Sequence, residues 1–402
     1  MGTKAWGMGL AILMGLGMVN LGGAADWSVV PSISQRSEFN SNLNMSSRNV
    51  LSDYVLSLRP AADFNYATEI SKLDGYVGLL GQHYITNSNL DHIDQNFQIN
   101  GRYQATPTVN LALQSSYISD TTMYEELMTS GLVIGRYPRQ SFFVGPAVTY
   151  NLTERLLWTF NYSFSRVLYQ APQYTDYTSH VAGMTFTYPL SNERTTIINN
   201  NIVRETLYAG NNNFKSIGIY GGLRHRFTER WNVDFMTGGN ISFFSSNTQV
   251  LDISQFPYFT QIKTKRTNTS NVTPYVSAST SYRWTNLTLN AGLSIDQQPS
   301  AYGTVYQVDR FYASAGYQFT ERLQGMLSGG FSFSNQSSQS IDSQYNHYNA
   351  SCSLHYKITE RLSVSPGYAF LNSASLTGTG ASAHGHLAWL QFSYSYPMHY
   401  QQ

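Results

Sequence analysis

The chain has 402 residues and a net charge of +1, with 12% charged and 14% aromatic residues, 30 of them Tyr. Near neutrality excludes a polybasic nucleic-acid or membrane-surface mechanism as the main theme. The single cysteine, Cys352, excludes an intrachain disulfide and a C-x-x-C-H haem site, and it lies far from any N-terminal lipid-attachment position.

Charge is about half that of an ordinary soluble protein, yet mean hydropathy is −0.28. Few charges with many aromatic and small polar residues suit a surface that alternates between lipid and water. The N-terminus reads as a secretory signal. Lys4 is the charged start, Trp6 to Val19 form a Gly-broken apolar stretch, and Gly23, Ala24 and Ala25 offer small residues before Asp26. That stretch is short for a helical span of about 20 residues, and no later segment equals it without polar interruption. The expected division is a signal peptide over 1–25 and one domain over 26–402.

Past Asp26 the chain alternates, as strands do when successive side chains take opposite faces. The first expected pair is Trp27 to Phe39 and Leu51 to Tyr66. In the second, Tyr54, Leu56, Leu58, Pro60, Ala62, Phe64 and Tyr66 share one face and Val55, Ser57, Arg59, Ala61, Asp63 and Asn65 the other. A repeated punctuation follows. Its clear copies are Thr153-Glu154-Arg155-Leu156, Thr228-Glu229-Arg230-Trp231, Thr320-Glu321-Arg322-Leu323 and Thr359-Glu360-Arg361-Leu362. Looser copies fall at Tyr66 to Glu69, Tyr103 to Val109, Tyr188 to Arg194 and Tyr282 to Leu287. Eight such turns join strand pairs, with one further strand beyond each end of the series. The run from Thr195 to Glu205 alternates least well. From Leu323, the set Leu323, Gly325, Leu327, Gly329, Phe331 and Phe333 is free of charge, and so is Tyr348, Ala350, Cys352, Leu354, Tyr356 and Ile358. The last strand is expected over His384 to Tyr396.

The expected fold is all-β, a transmembrane antiparallel up-and-down β-barrel of about 18 strands, with 16 as the fallback. Charge-free faces meet the cost of a mid-membrane Arg or Lys, about 2–4 kcal/mol. Closure follows because backbone groups in lipid must pair within the protein. A soluble β-helix or propeller would also repeat and alternate, without needing a signal, charge-free faces and aromatic strand ends together. An even count places both termini in the periplasm with the short turns. The longer connections then face outward, the longest expected over Ser246 to Thr269 and the next over Asp120 to Arg136.

No enzyme signature is present. Gly378-Thr379-Gly380-Ala381 lacks the next glycine of a nucleotide motif and reads as loop. His384 and His386 share a strand face but lack a third metal ligand, so they read as polar strand-end residues. Cys352 reads as a small lipid-facing residue. The sequon Asn151-Leu152-Thr153 is a chance match in an Asn-rich chain. No catalytic, cofactor or metal residues are expected. The inward sets hold Arg59, Asp63, Asp94, Arg102, Arg224, Arg226, Asp234, His355 and Lys357 among Ser, Thr, Asn, Gln and Gly. Such a mixed-charge lumen suits water and small hydrophilic solutes, though these groups also serve simply by pairing across the wall.

The mature start, Trp27-Ser28-Val29-Val30-Pro31-Ser32-Ile33-Ser34, then Phe39-Asn40-Ser41-Asn42 and Asp53-Tyr54-Val55-Leu56-Ser57-Leu58-Arg59-Pro60, resembles bacterial outer-membrane β-barrel families found near exopolysaccharide and exosortase loci. It also resembles the barrels of porin–cytochrome electron conduits. Asn40-Ser41-Asn42 stands where those families have Asn-Asp-Asn. The resemblance implies an outer-membrane barrel, with no catalytic residues to carry over. Three functions follow: a porin-like channel for small hydrophilic solutes, a scaffold sheathing an exported multihaem cytochrome, or a polysaccharide export channel working with its machinery. Outer-membrane lipid is the partner common to all three, and the middle one needs a haem partner because this chain has no haem ligation motif.

Overall fold

The computed structural model describes residues 25–122, 135–191, 194–210, 212–252, 261–336, 344–376 and 382–401. Alternation becomes strand throughout. In chain order these are β1 (Asp26–Asn40), β2 (Asp53–Ala67), β3 (Ser71–Tyr84), β4 (His92–Thr106), β5 (Val109–Thr121), β6 (Pro138–Asn151), β7 (Leu157–Tyr169), β8 (Tyr177–Pro189) and β9 (Thr195–Tyr208). There follow β10 (Asn213–Thr228), β11 (Trp231–Asp252), β12 (Gln261–Arg283), β13 (Leu287–Pro299), β14 (Val305–Gln318), β15 (Leu323–Gln336), β16 (Gln344–Lys357), β17 (Leu362–Ser375), β18 (Ser382–Ser395) and β19 (Met398–Gln401). From β1 to β18 each strand pairs antiparallel with its sequence neighbour, and β1 pairs with both β2 and β18, so the sheet closes on itself. Beyond Pro397, which has no N–H to give the ladder, β19 continues β18 along β1 with Val29 opposite Met398. The wall is therefore a closed barrel of 18 strands, as the turn count requires.

The repeated turns are held by their threonine. Thr153 Oγ1 accepts from the N–H groups of Arg155 (3.3 Å) and Leu156 (2.9 Å). Thr320 does the same for Arg322 and Leu323, and Thr359 for Arg361 and Leu362. The hydroxyl thus replaces ladder partners where the chain reverses. These turns and the strand ends near Asp26 and Met398 lie at one end of the barrel, and the longer connections lie at the other.

The longest expected loop needs revision. Residues 246–252 and 261–269, expected within the longest loop, continue β11 and β12 as a ladder from Asp252↔Gln261 down to Trp231↔Tyr282. Alternation was masked there by runs of polar residues. The poorly alternating stretch from Thr195 is a full strand, β9, paired on both sides.

The barrel wall has a seam. The β12–β13 ladder runs only from Arg283↔Thr288 to Val276↔Ile295, whereas the β13–β14 ladder continues to Pro299↔Val305. Pro274 and Pro299, on the two separating edges, lack ladder donors. Above the seam the β13–β14 end bends inward. Gln297 and Val305 belong to the same strand faces as Leu293 and Phe311, which are 42% and 51% exposed, yet they are 3% and 8% exposed.

Candidate channel lumen

Register separates the two faces of the wall. Phe39, Tyr54 and Leu390 are exposed, as are Leu56, Ile217, Phe235, Leu293 and Leu327, and cross-strand neighbours such as Phe39 and Tyr54 share that outer register. Charge on the outer register, as at Arg166 and the Glu205–Lys215 pair (3.0 Å), lies toward the loop end. No helix among the described residues is long and apolar enough to cross a membrane, which says nothing of a strand-built wall.

The opposite register carries the residues singled out from sequence. Arg59 lies opposite Ser34, and Asp63 opposite Val30 and Tyr76. Asp94 lies opposite Leu80, 3.4 Å from His92 Nε2. Arg102 lies between Lys72 and Ala112. Arg224 faces Asp234, with Nε donating to Oδ1 at 2.5 Å, and Arg226 faces Asn232. His355 Nδ1 is 2.9 Å from Ser365 Oγ, and Lys357 lies opposite Ser363. The structure thus pairs Arg224 with Asp234 and brings Asp94 beside His92, while the others do not converge. His384 and His386 share a face, with ring centroids 6.0 Å apart, and His386 Nδ1 is 2.6 Å from Tyr368 Oη on the outer register. Gly378-Thr379-Gly380-Ala381 lies outside the described residues.

Sequence reading missed the loop end, where the inner face is crossed by chain. After β1 the 41–52 loop folds inward: Leu43 packs with Val55 and Tyr84, and Met45 with Leu371 and Leu387. Asn42 anchors it, its amide donating to the carbonyls of Ser46 and His384, both at 2.9 Å. Asp53 anchors the next connection by accepting from the backbone of Thr86 (3.0 Å) and Asn87 (2.8 Å). These are the Asn-rich and Asp positions that carried the family resemblance, and their role here is to hold loops. Arg136 donates to Tyr84 Oη (2.5 Å) and to the Leu43 carbonyl (3.4 Å). Gly135 N donates to Tyr174 Oη (3.1 Å), and Tyr174 stacks edge-on with Tyr302 (5.7 Å).

The bent β13–β14 end completes this crossing. Tyr208 Oη donates to the Thr304 carbonyl (2.8 Å), Arg204 to the Gln297 carbonyl (2.7 Å), and Ser242 Oγ to Gln297 Oε1 (2.7 Å). Val305 packs on Tyr208 and Phe214, while Ala301, Tyr306 and Val308 pack on Val167 and Tyr169. Contacts therefore run from β17–β18 through Met45, Leu43, Arg136 and Tyr174 to β9–β11. Below this, Arg139 holds Asp120 in a two-pronged pair (2.9 and 2.8 Å), and Arg36 pairs with Glu38 while lying 4.4 Å over the Trp389 ring. Asp120, expected at the start of a loop, lies in β5 opposite Arg139, a partner that a long connection separates from it and that leaves no local signal in the sequence.

No family model and no curated protein matches the chain. Among solved structures it is similar to the outer membrane protein opdK of Pseudomonas aeruginosa, at 13% identity over 93% of this chain and 99% of that one, with a TM-score of 0.45. It is similar to OccAB3 of Acinetobacter baumannii, at 11% identity over 93% and 99%, TM-score 0.44. It is also similar to the ferric-catecholate import receptor Fiu of E. coli K12, at 8% identity over 91% and 81%, TM-score 0.48. Identities this low say nothing of what this chain carries.

Proposed function

We propose that the protein is a bacterial outer-membrane channel for small hydrophilic solutes, narrowed at its loop end by its own chain. One observation carries this reading. The closed wall turns an apolar register outward and a polar, mixed-charge register inward, from Ser34 and Arg59 round to Arg224 and Asp234. Closure satisfies the backbone in lipid, and barrels of this strand number enclose water. Arg59, Asp63, Asp94, Arg102, Arg224, Arg226, Asp234, His355 and Lys357 then line the passage. Residues 1–25 act as the export signal, and the turn end with both termini faces the periplasm. The inward-folded 41–52 loop and β13–β14 end occupy space that a sheathed cytochrome or a polysaccharide chain would need, and no observation favours either.

Purified protein in planar bilayers is expected to give discrete ion conductance with a modest preference for anions, since the lining set holds five Arg or Lys against three Asp. A barrel that inserts and never conducts, in any solute or voltage, overturns the reading.

A further inference from the structure

On the outer face of β7–β10 the wall changes character at one row near the loop end. His180 lies opposite Glu205, and Glu205 opposite Lys215. Arg166 stands two residues above Phe164, which is opposite His180. The residues one step nearer the turn end on the same register are Phe164, Ala182, Val203 and Ile217, none of them charged. Val203 and Ile217 are exposed. Strand rise and tilt put the charged row about 23–26 Å above the turn end, at the upper edge of an apolar band roughly 25 Å tall. Acyl chains therefore meet the lower row, and lipid headgroups meet the upper one.

Two cations of this row remain accessible. Lys215 Nζ lies 3.0 Å from Glu205 Oε1, yet its side chain is 58% exposed. Arg166 is exposed, and among the described residues no carboxylate pairs with it. Three strand spacings and one register step separate the two, so they stand about 15 Å apart. Polar groups fill the interval: His180 Nδ1 is 2.7 Å from Tyr162 Oη, and Glu205 Oε1 also accepts from Asn213 Nδ2 (3.2 Å). Among their described residues, the outer registers of β1–β6 and β13–β18 hold no Arg or Lys.

We propose that this row binds the head of an outer-leaflet glycolipid, a disaccharide carrying a phosphate at each end. A guanidinium holds a phosphate by two parallel hydrogen bonds, and an ammonium holds one as a point charge. One phosphate meets Arg166 and the other Lys215, while the acyl chains descend over Val203 and Ile217. A glycerophospholipid has a single phosphate and reaches only one of the two cations. Arg166 and Lys215 against Glu205 leave the row cationic, as an anionic head requires. The proposal rests on the barrel lying in the outer membrane with its loop end outward. Flotation with vesicles and protease accessibility on intact cells test that reading. Binding is measured in micelles, where orientation plays no part, so the two failures are distinguishable.

The test uses the full barrel, stripped of lipid and held in mild detergent with a chelator, and counts bound lipid by native mass spectrometry. Bisphosphorylated lipid A should bind saturably, one per barrel. Lipid A lacking one phosphate should bind at least threefold more weakly, and phosphatidylglycerol at least tenfold. Arg166→Gln with Lys215→Gln should weaken lipid A binding at least tenfold while heat-modifiable migration stays as it was. Arg322→Gln with Arg361→Gln removes the same charge from the turn end and should leave binding unchanged. Glu205→Gln, which removes the competing carboxylate, should bind at least as tightly. Absence of saturable binding to the wild type, equal affinity for either comparison lipid, or a double variant of Arg166 and Lys215 that binds as before would each overturn the proposal. So would equal weakening by the turn-end pair, or weaker binding by Glu205→Gln.

Discussion

Gln297 of β13 accepts a 2.7 Å hydrogen bond from Ser242 of β11, although β12 lies between those strands in the order of the wall. The contact exists because β13 leaves β12 at Ile295 and passes inside it. With Arg204 on the Gln297 carbonyl and Tyr208 on that of Thr304, it pins the bent end to the inner face of β9–β11. Gln297→Ala should leave the buried Ser242 hydroxyl without its acceptor, at a cost of about 1–3 kcal/mol, and loosen the constriction. Single-channel recording should show higher mean conductance or more frequent opening. Ser242→Cys with Gln297→Cys, in the Cys352→Ser background, should lock the end when oxidised and suppress those openings, with recovery on reduction.

Face assignment predicts unequal costs at adjacent positions of β15. Leu327 is 60% exposed on the outer register, whereas Ser328 Oγ lies 2.7 Å from Ser351 Oγ on the inner one. Leu327→Arg should destabilise by about 2–4 kcal/mol near the bilayer midplane, and Ser328→Arg by markedly less, since its charge reaches water. Urea titration of both variants in the same vesicles reads the difference. A larger cost at Ser328 would mean the register is wrong by one residue, and equal tolerance would mean that Leu327 does not face lipid.

Most of this wall is legible in sequence because alternation and turn chemistry are local. Tyr54 to Tyr66 declares its outer face residue by residue, and Thr320 and Thr359 mark turns that their hydroxyls then close. β9 was the hardest strand to see for a physical reason: Ile198 and Ile202 sit on the same register as Arg204 and Thr206, and Asn199 and Asn201 on the outer one. The inner constriction was not legible at all. Gln297, Val305 and Tyr306 alternate as wall residues, and only tertiary packing bends their hairpin inward. Of the predicted lumen residues, Arg224 and Asp234 meet because they are cross-strand neighbours in a tight hairpin, a short-range relation. Asp120 with Arg139 escaped notice across a long connection.

Turn stability should depend on the threonine hydroxyl and not on its shape. Thr359→Val removes the acceptor for the N–H groups of Arg361 and Leu362 and should cost about 0.5–1.5 kcal/mol. Thr359→Ser should recover most of it. Unfolding midpoints in urea for the two variants separate the hydrogen bond from packing.

The Asp91 carboxylate, in the connection before β4, predicts an acid-dependent contribution. The backbone N–H of Tyr84 donates to Oδ1 at 2.8 Å and His83 Nδ1 lies 2.7 Å from Oδ2, and these bonds hold its pKa below the ordinary 3.8. A depressed folded-state value stabilises the fold above the unfolded value, and that contribution fades as pH falls through the folded one. The loss should therefore appear below about pH 4 and be absent at neutrality. Asp91→Asn should flatten the pH dependence of the unfolding midpoint in that window, and an unchanged profile would show that the carboxylate does not couple to folding.

Orientation is the remaining prediction. The threonine turns and the Asp26–Gln401 pairing share one end, so a single measurement fixes both termini. If the chain is threaded with its termini in the periplasm, a protease site inserted at Ser254, between β11 and β12, should be cut on intact cells. One inserted at Thr320-Glu321 should be cut only after the outer membrane is permeabilised. The β11–β12 ladder extends to Asp252↔Gln261, while β10 pairs with β11 only as far as Asn213↔Ser245. The strands that flank the inserted site therefore stay paired with each other beyond the end of β10. Cutting at Thr320-Glu321 alone on intact cells would invert the barrel and place the inward-folded constriction on the periplasmic side.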